Sequence, residues 1–225
     1  MIRNILKLQQ LVPPHKTMVE LGGASQPLFL TQPRSKIEVY NDERGEVANL
    51  CLMLRGAATM QQLSDYLYGR PNSQGGEVSS AIIRAARFFE NCQAALRQCK
   101  DTPLSYGERF DRCFHGTMDY YLPVIERWHN VGVENKPWDD LIHRYDSSQT
   151  CFVIHRDTAA VDDHELLRKL QTVRGRVQVC GPNLQVLHDL PEGWSGTAYG
   201  GMVAADPLKR GDPAQVVWTN YSISR

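Results

Sequence analysis

Short apolar runs and longer helical stripes alternate along this chain. Thr17 to Leu21 is an apolar run that meets Gly22-Gly23, and Ile37 to Asn41 is a second that closes on the acidic step at Asp42. Short runs bounded by turn residues suit buried strands. After the second run, Val47, Leu50, Cys51 and Leu54 recur at helical spacing. Ahead of the first, Ile2, Ile5, Leu6 and Leu8 make a loose helical stripe ended by Pro13-Pro14. Strand, glycine turn, connection, strand and helix is the rhythm of a parallel α/β sheet.

The middle of the chain has a different texture. Val78, Ile82, Ile83, Ala86 and Phe89 predict a long helix within Glu77 to Gln98, preceded by the breaker-rich stretch Gly69 to Gly76. From Lys100 to His129 the chain is aromatic, charged and weakly periodic, with Met118 to Trp128 expected to be helical. Residues 58–128 are therefore read as a mostly helical insert, and residues 1–57 with 129–225 as the sheet domain.

Alternation then resumes. Val131 to Asn135 suits a strand, and Trp138, Leu141, Ile142 and Tyr145 share one face of a helix started by Pro137. Cys151 to His155 reads as a buried strand. Asp162 or Asp163 can cap a helix carrying Leu166, Leu167 and Leu170. Val177 to Cys180 is the next strand, which Gly181-Pro182 is expected to stop. Trp194 to Val203 and Gln215 to Tyr221 flank a Pro/Gly-rich loop and read as an antiparallel pair on the sheet edge. The fold expected is a doubly wound α/β sheet with a helical insert.

Composition narrows the function classes. Twenty-five basic and 25 acidic residues give a formal net charge of +0, which argues against a free-standing electrostatic nucleic-acid binder but leaves room for a local patch. No apolar stretch approaches bilayer length, and the polar opening MIRNILKLQQLVPP does not suit a signal peptide, so no membrane partner and a cytoplasmic location are expected. Cys51, Cys92, Cys99, Cys113, Cys151 and Cys180 form no close pair, and the seven histidines show no ligand spacing. Reduced, buried thiols and no metal site are expected.

Four ordered segments bring a known family into view. Val19 to Arg55 (VELGGASQPLFLTQPRSKIEVYNDERGEVANLCLMLR) resembles the first strand, glycine-rich cofactor loop and second strand of the Dam-type adenine-specific DNA methyltransferases. Gly132 to Ile154 (GVENKPWDDLIHRYDSSQTCFVI) is similar to the segment leading into that family's catalytic strand. Asp163 to Gly181 (DHELLRKLQTVRGRVQVCG) resembles the helix and strand that follow, and Val216 to Tyr221 (VVWTNY) the closing strand. The resemblance implies a Rossmann-like S-adenosylmethionine-dependent methyltransferase sheet, with the insert in the place of a target-recognition region.

The same resemblance shows where this chain departs from the family. The family's opening Gly-Gly-Lys element has no counterpart in the sequence. Its cofactor loop carries an acid, Pro, Phe and spaced glycines. Here Glu20 is followed by Leu21, Gly22, Gly23, Ala24, Ser25, Gln26 and Pro27, and a proline offers no backbone N–H. The family's catalytic Asp-Pro-Pro-Tyr falls by register on His155, Arg156, Asp157 and Thr158, none of which is retained. In the family, the acid and a proline carbonyl accept the two hydrogens of the adenine amino group, and the tyrosine stacks on the flipped-out base. Histidine brings no fixed negative charge, arginine only donates, and threonine has no ring. The segment after Thr158 is also shorter than the family's substrate loop.

Two uses remain open for several of these residues. Gly22-Gly23 suits a tight strand-to-helix turn or a vestigial cofactor loop. Asn41-Asp42 suits ribose recognition at a strand end or the cap of the following helix. His155, Arg156 and Asp157 could fill the space of a lost cofactor or build a new site. The Arg168, Lys169, Arg174 and Arg176 set suits a solvated surface, with phosphate contact the other reading. The functional expectation is a catalytically degenerate homologue acting as a binding or partner module, with DNA or an active methyltransferase as partner and no cofactor. The alternative is an enzyme that binds S-adenosylmethionine, or one that performs altered base chemistry through His155 and Asp157.

Overall fold

Apolar runs with β-branched residues become strands here, and stripes at helical spacing become helices. A computed structural model describes residues 8, 10–22, 32–98, 122–156, 162–182, 192–200 and 215–222. In chain order the elements are β1 (Thr17–Leu21), β2 (Ile37–Asn41), α1 (Glu46–Arg55), α2 (Ala57–Leu67), α3 (Ser80–Gln98) and α4 (Leu122–His129). There follow β3 (Gly132–Glu134), α5 (Trp138–Tyr145), β4 (Thr150–His155), α6 (Asp163–Leu170), β5 (Arg176–Pro182), β6 (Ser195–Gly200) and β7 (Gln215–Thr219). Most of the stripe expected over Ile2 to Leu11, the start of the helix expected from Met118, and the end of the strand expected to reach Val203 lie outside the described residues.

The seven strands form one mixed sheet in the order β3-β2-β1-β4-β5-β7-β6. β1 runs parallel to both β2 and β4, β4 runs parallel to β5, and β7 is antiparallel to β5 and β6. The fold is therefore α/β. All six residues of β4 are buried, as a central parallel strand covered on both faces requires.

The chain divides into two compact units, one taking in Arg44–Asn135 and the other Arg3–Glu43 and Lys136–Arg225. In the second unit the core gathers Val19, Leu21 and Val39 with Phe152, Ile154, Val177 and Val179 from the strands. Trp138, Leu141 and Ile142 of α5, with Leu166 and Leu170 of α6, pack in the same cluster. Asp162 caps α6, its carboxylate accepting from the backbone N–H groups of His164 and Glu165, both at 3.0 Å.

The other unit has its own core of Leu54, Met60, Leu63, Ile82, Ala85, Ala86 and Phe89. Ile82, Ala85, Ala86 and Phe89 follow the i, i+3, i+4, i+7 spacing of one helix face. The turn leaving α2 is tied down by buried Asp65, whose carboxylate accepts from Ser73 N at 3.1 Å and Gln61 Nε2 at 2.9 Å. Arg70 Nε lies 3.4 Å from the same carboxylate.

One expected boundary is corrected. Gly181-Pro182 does not stop β5, which continues through both residues opposite Val216 and Gln215 of β7. Pairing with β4 ends at Cys180 opposite His155.

Candidate functional site

The strand order reverses between β1 and β4. From β1 the chain continues outward to β2, while β4 continues outward to β5 on the other side. Open α/β sheets place their ligand sites in the crevice at such a point, outside the carboxyl ends of the strands. β1 ends there at Leu21-Gly22 and β4 at His155-Arg156.

Register decides which side chains meet at that crevice. Glu20 lies opposite Val153, so His155, two residues further along β4, shares Glu20's face of the sheet one diagonal step away. The pair closes to 2.7 Å between His155 Nε2 and Glu20 Oε1, with the ring N–H donating to the carboxylate. Glu20 has no exposed surface and His155 is 9% exposed. Two residues separated by 135 positions in sequence thus form one buried acid–imidazole pair.

Arg156 begins the turn after β4, its backbone N–H donating to the Cys180 carbonyl at 2.8 Å. Gly181 lies against it so closely that a Cβ there would come within 2.9 Å of Arg156 Cβ. Asp157 and Thr158, the other two positions of the expected tetrapeptide, lie outside the described residues, as do Gly23 and Pro27.

On the other flank, Gly22 takes a φ of 81° and donates its N–H to the Asn41 carbonyl at 3.0 Å. That left-handed turn is one glycine adopts without strain. Asn41 is buried and engaged on both sides of its amide. Its Nδ2 donates to the Lys136 carbonyl at 2.9 Å, and its Oδ1 accepts from Lys136 N at 3.0 Å. Asp42 is buried, and α1 begins at Glu46 with Gly45 as its N-cap.

Glu43, which sequence reading passed over, does the comparable work for α5. Its Oε1 accepts from Trp138 N, in the first turn of that helix, at 2.6 Å. Burial raises the Glu43 carboxyl above its usual range, and the Trp138 N–H partly offsets this. The only sequence signal for this contact was an acid beside Asp42, and the contact needs a partner 95 positions away.

At the strand ends Glu20 turns its carboxylate to His155, and Asn41 turns its amide to the Lys136 backbone. Among the described residues no cluster of His, Cys, Asp or Glu side chains is placed to hold a metal ion. Cys51, Cys151 and Cys180 are buried thiols, and burial pushes the Cys151 thiol up to about 12, which keeps it unreactive. No described helix is long and apolar enough to cross a membrane.

Set against known proteins, the chain matches no family model and no curated sequence.

Proposed function

We propose that this chain is a catalytically degenerate homologue of the Dam-type adenine DNA methyltransferases, working as a binding or partner module with DNA or an active methyltransferase as its partner. Support for the ancestry comes from the four sequence segments and from a mostly parallel α/β sheet with an antiparallel strand pair at one edge. The observation that carries the loss of catalysis is the Glu20–His155 pair. Methyl transfer to an adenine amino group needs acceptors aimed at that nitrogen and a bound sulfonium beside it. At the strand end where the family keeps its acid, this chain has an imidazole that donates to a buried carboxylate. The following residue, Arg156, adds a permanent positive charge, which disfavours a sulfonium nearby.

Calorimetric titration of the purified protein with S-adenosylmethionine tests this reading. No binding is expected at micromolar cofactor, and no tritiated methyl group should pass to mixed-sequence duplex DNA. A dissociation constant in that range, or incorporation above a no-enzyme blank, would sink the degenerate reading.

The same pair favours one second reading. A carboxylate that fixes an imidazole is also how proton-transferring histidines are oriented. On that reading His155, with Asp157, performs altered chemistry on a nucleic-acid base. Base release or deamination by the wild type, lost in His155→Ala, would select it.

A further inference from the structure

A second histidine pairing sits at the opposite end of β1, ahead of the starts of β1 and β2. β1 and β2 run parallel with Thr17 opposite Ile37, so extending the register back two residues sets His15 opposite Ser35. His15 Nε2 lies 2.7 Å from Ser35 Oγ, and His15 Nδ1 lies 2.7 Å from the Pro13 carbonyl oxygen. A carbonyl can only accept, so the hydrogen of the neutral ring is on Nδ1 and Nε2 is the acceptor. The Ser35 hydroxyl therefore donates to Nε2. This is a nucleophile, a base within hydrogen-bond reach, and a third group that orients the base.

The surroundings suit that use. Both side chains are half-buried, which holds their geometry and leaves them open to a small reagent. The Ser35 backbone N–H donates to buried Glu38 Oε1 at 2.9 Å, fixing the residue that carries the hydroxyl. Lys16 and Lys36, each next in sequence to one member of the pair, are exposed. Glu38 is the opposing negative charge, and it is committed to the serine's amide.

We propose that Ser35 and His15 form a nucleophile–base pair that takes the acyl group of a small activated ester. Ser35 Oγ attacks the ester carbonyl carbon as its proton passes to His15 Nε2. The ester C–O bond then breaks, and the leaving alcohol takes that proton. Water attacks the acyl–serine carbon, gives a proton to Nε2, and the carboxylic acid departs as the proton returns to Ser35 Oγ. The site is distinct from the Glu20–His155 crevice and does not depend on the methyltransferase reading.

A fluorophosphonate probe tests the pair on the intact chain, because Ser35 Oγ displaces its fluoride through the same first step. Peptide mapping should place the adduct on Ser35, with labelling far faster than at the exposed Ser79 and Ser80 of the same molecule. His15→Ala should slow labelling of Ser35 by about a hundredfold or more, the usual worth of a positioned base. Hydrolysis of p-nitrophenyl acetate should fall in parallel and vanish in Ser35→Ala. Labelling of Ser35 in the folded wild type at no more than the rate of Ser79 and Ser80 would overturn the proposal. An unchanged rate in His15→Ala would overturn it equally.

Discussion

His155 Nε2 and Glu20 Oε1 meet at 2.7 Å between two neighbouring parallel strands, with the carboxylate wholly buried. Removing one member of such a pair takes a buried partner from the other. Glu20→Ala or His155→Ala should each destabilise the protein by about 3–5 kcal/mol. His155→Gln, which can still donate to the carboxylate, should cost less than His155→Asp, which sets two acids face to face. Urea denaturation of the four variants checks the order. Equal stability of the Gln and Asp variants would show that the contact carries no electrostatic weight.

Gly181 approaches the turn after β4 too closely for a side chain. A Cβ there would lie 2.9 Å from Arg156 Cβ, and the backbone φ is 155°. Gly181→Ala is expected to cost about 1–3 kcal/mol through overpacking. The denaturation midpoint should fall with an unchanged m-value, since the loss is local.

Asn41 brackets both backbone groups of Lys136 from a buried position. Asn41→Ala removes both bonds and leaves polar backbone unsatisfied, for an expected loss of about 1–3 kcal/mol. Asn41→Asp should retain the bond accepted from Lys136 N and lose the one donated to its carbonyl. Its amide exchange at Lys136 should therefore stay closer to wild type than that of the alanine variant.

Asp65 supplies a pH dependence of defined sign. Hydrogen bonds from Ser73, followed by that from Gln61, hold its carboxyl below the ordinary aspartate range. A carboxyl with a depressed folded value stabilises above its unfolded value and loses that contribution as pH falls through the folded one. Amide exchange at Ser73 should accelerate on acidification below the ordinary aspartate range. In Asp65→Ala it should be fast at every pH. A wild-type rate free of any acid-dependent step, after correction for intrinsic exchange, would remove Asp65 as the clamp.

The strands were readable where burial made them simple. Cys151 to Ile154 reads as apolar without interruption because the strand is central, and Thr17 to Leu21 is marked off by Pro13-Pro14 and Gly22-Gly23. The α5 face was legible from Trp138, Leu141 and Ile142, which the structure buries together. Gly181-Pro182 misled because a stop signal in a paired strand is tolerated where one neighbour has already ended. The Glu20–His155 contact was beyond local pattern. It follows from β1 lying next to β4, which alternation of strand and helix does not specify, and then from a register fixed by pleat alternation. Glu43 was overlooked because its partner, Trp138 N, is a backbone group, and sequence marks no backbone donor.

The adjacency of β1 and β4 also governs how the chain can be made. In synthesis, Thr17–Leu21 emerges long before Thr150–His155, and at ribosomal speeds that gap is on the order of ten seconds. Until β4 arrives, β1 has β2 on one side and on the other a row of unmet N–H and C=O groups. Such a row invites any extended peptide nearby. Pairing of that edge therefore waits for the arrival of the strand that ends in His155.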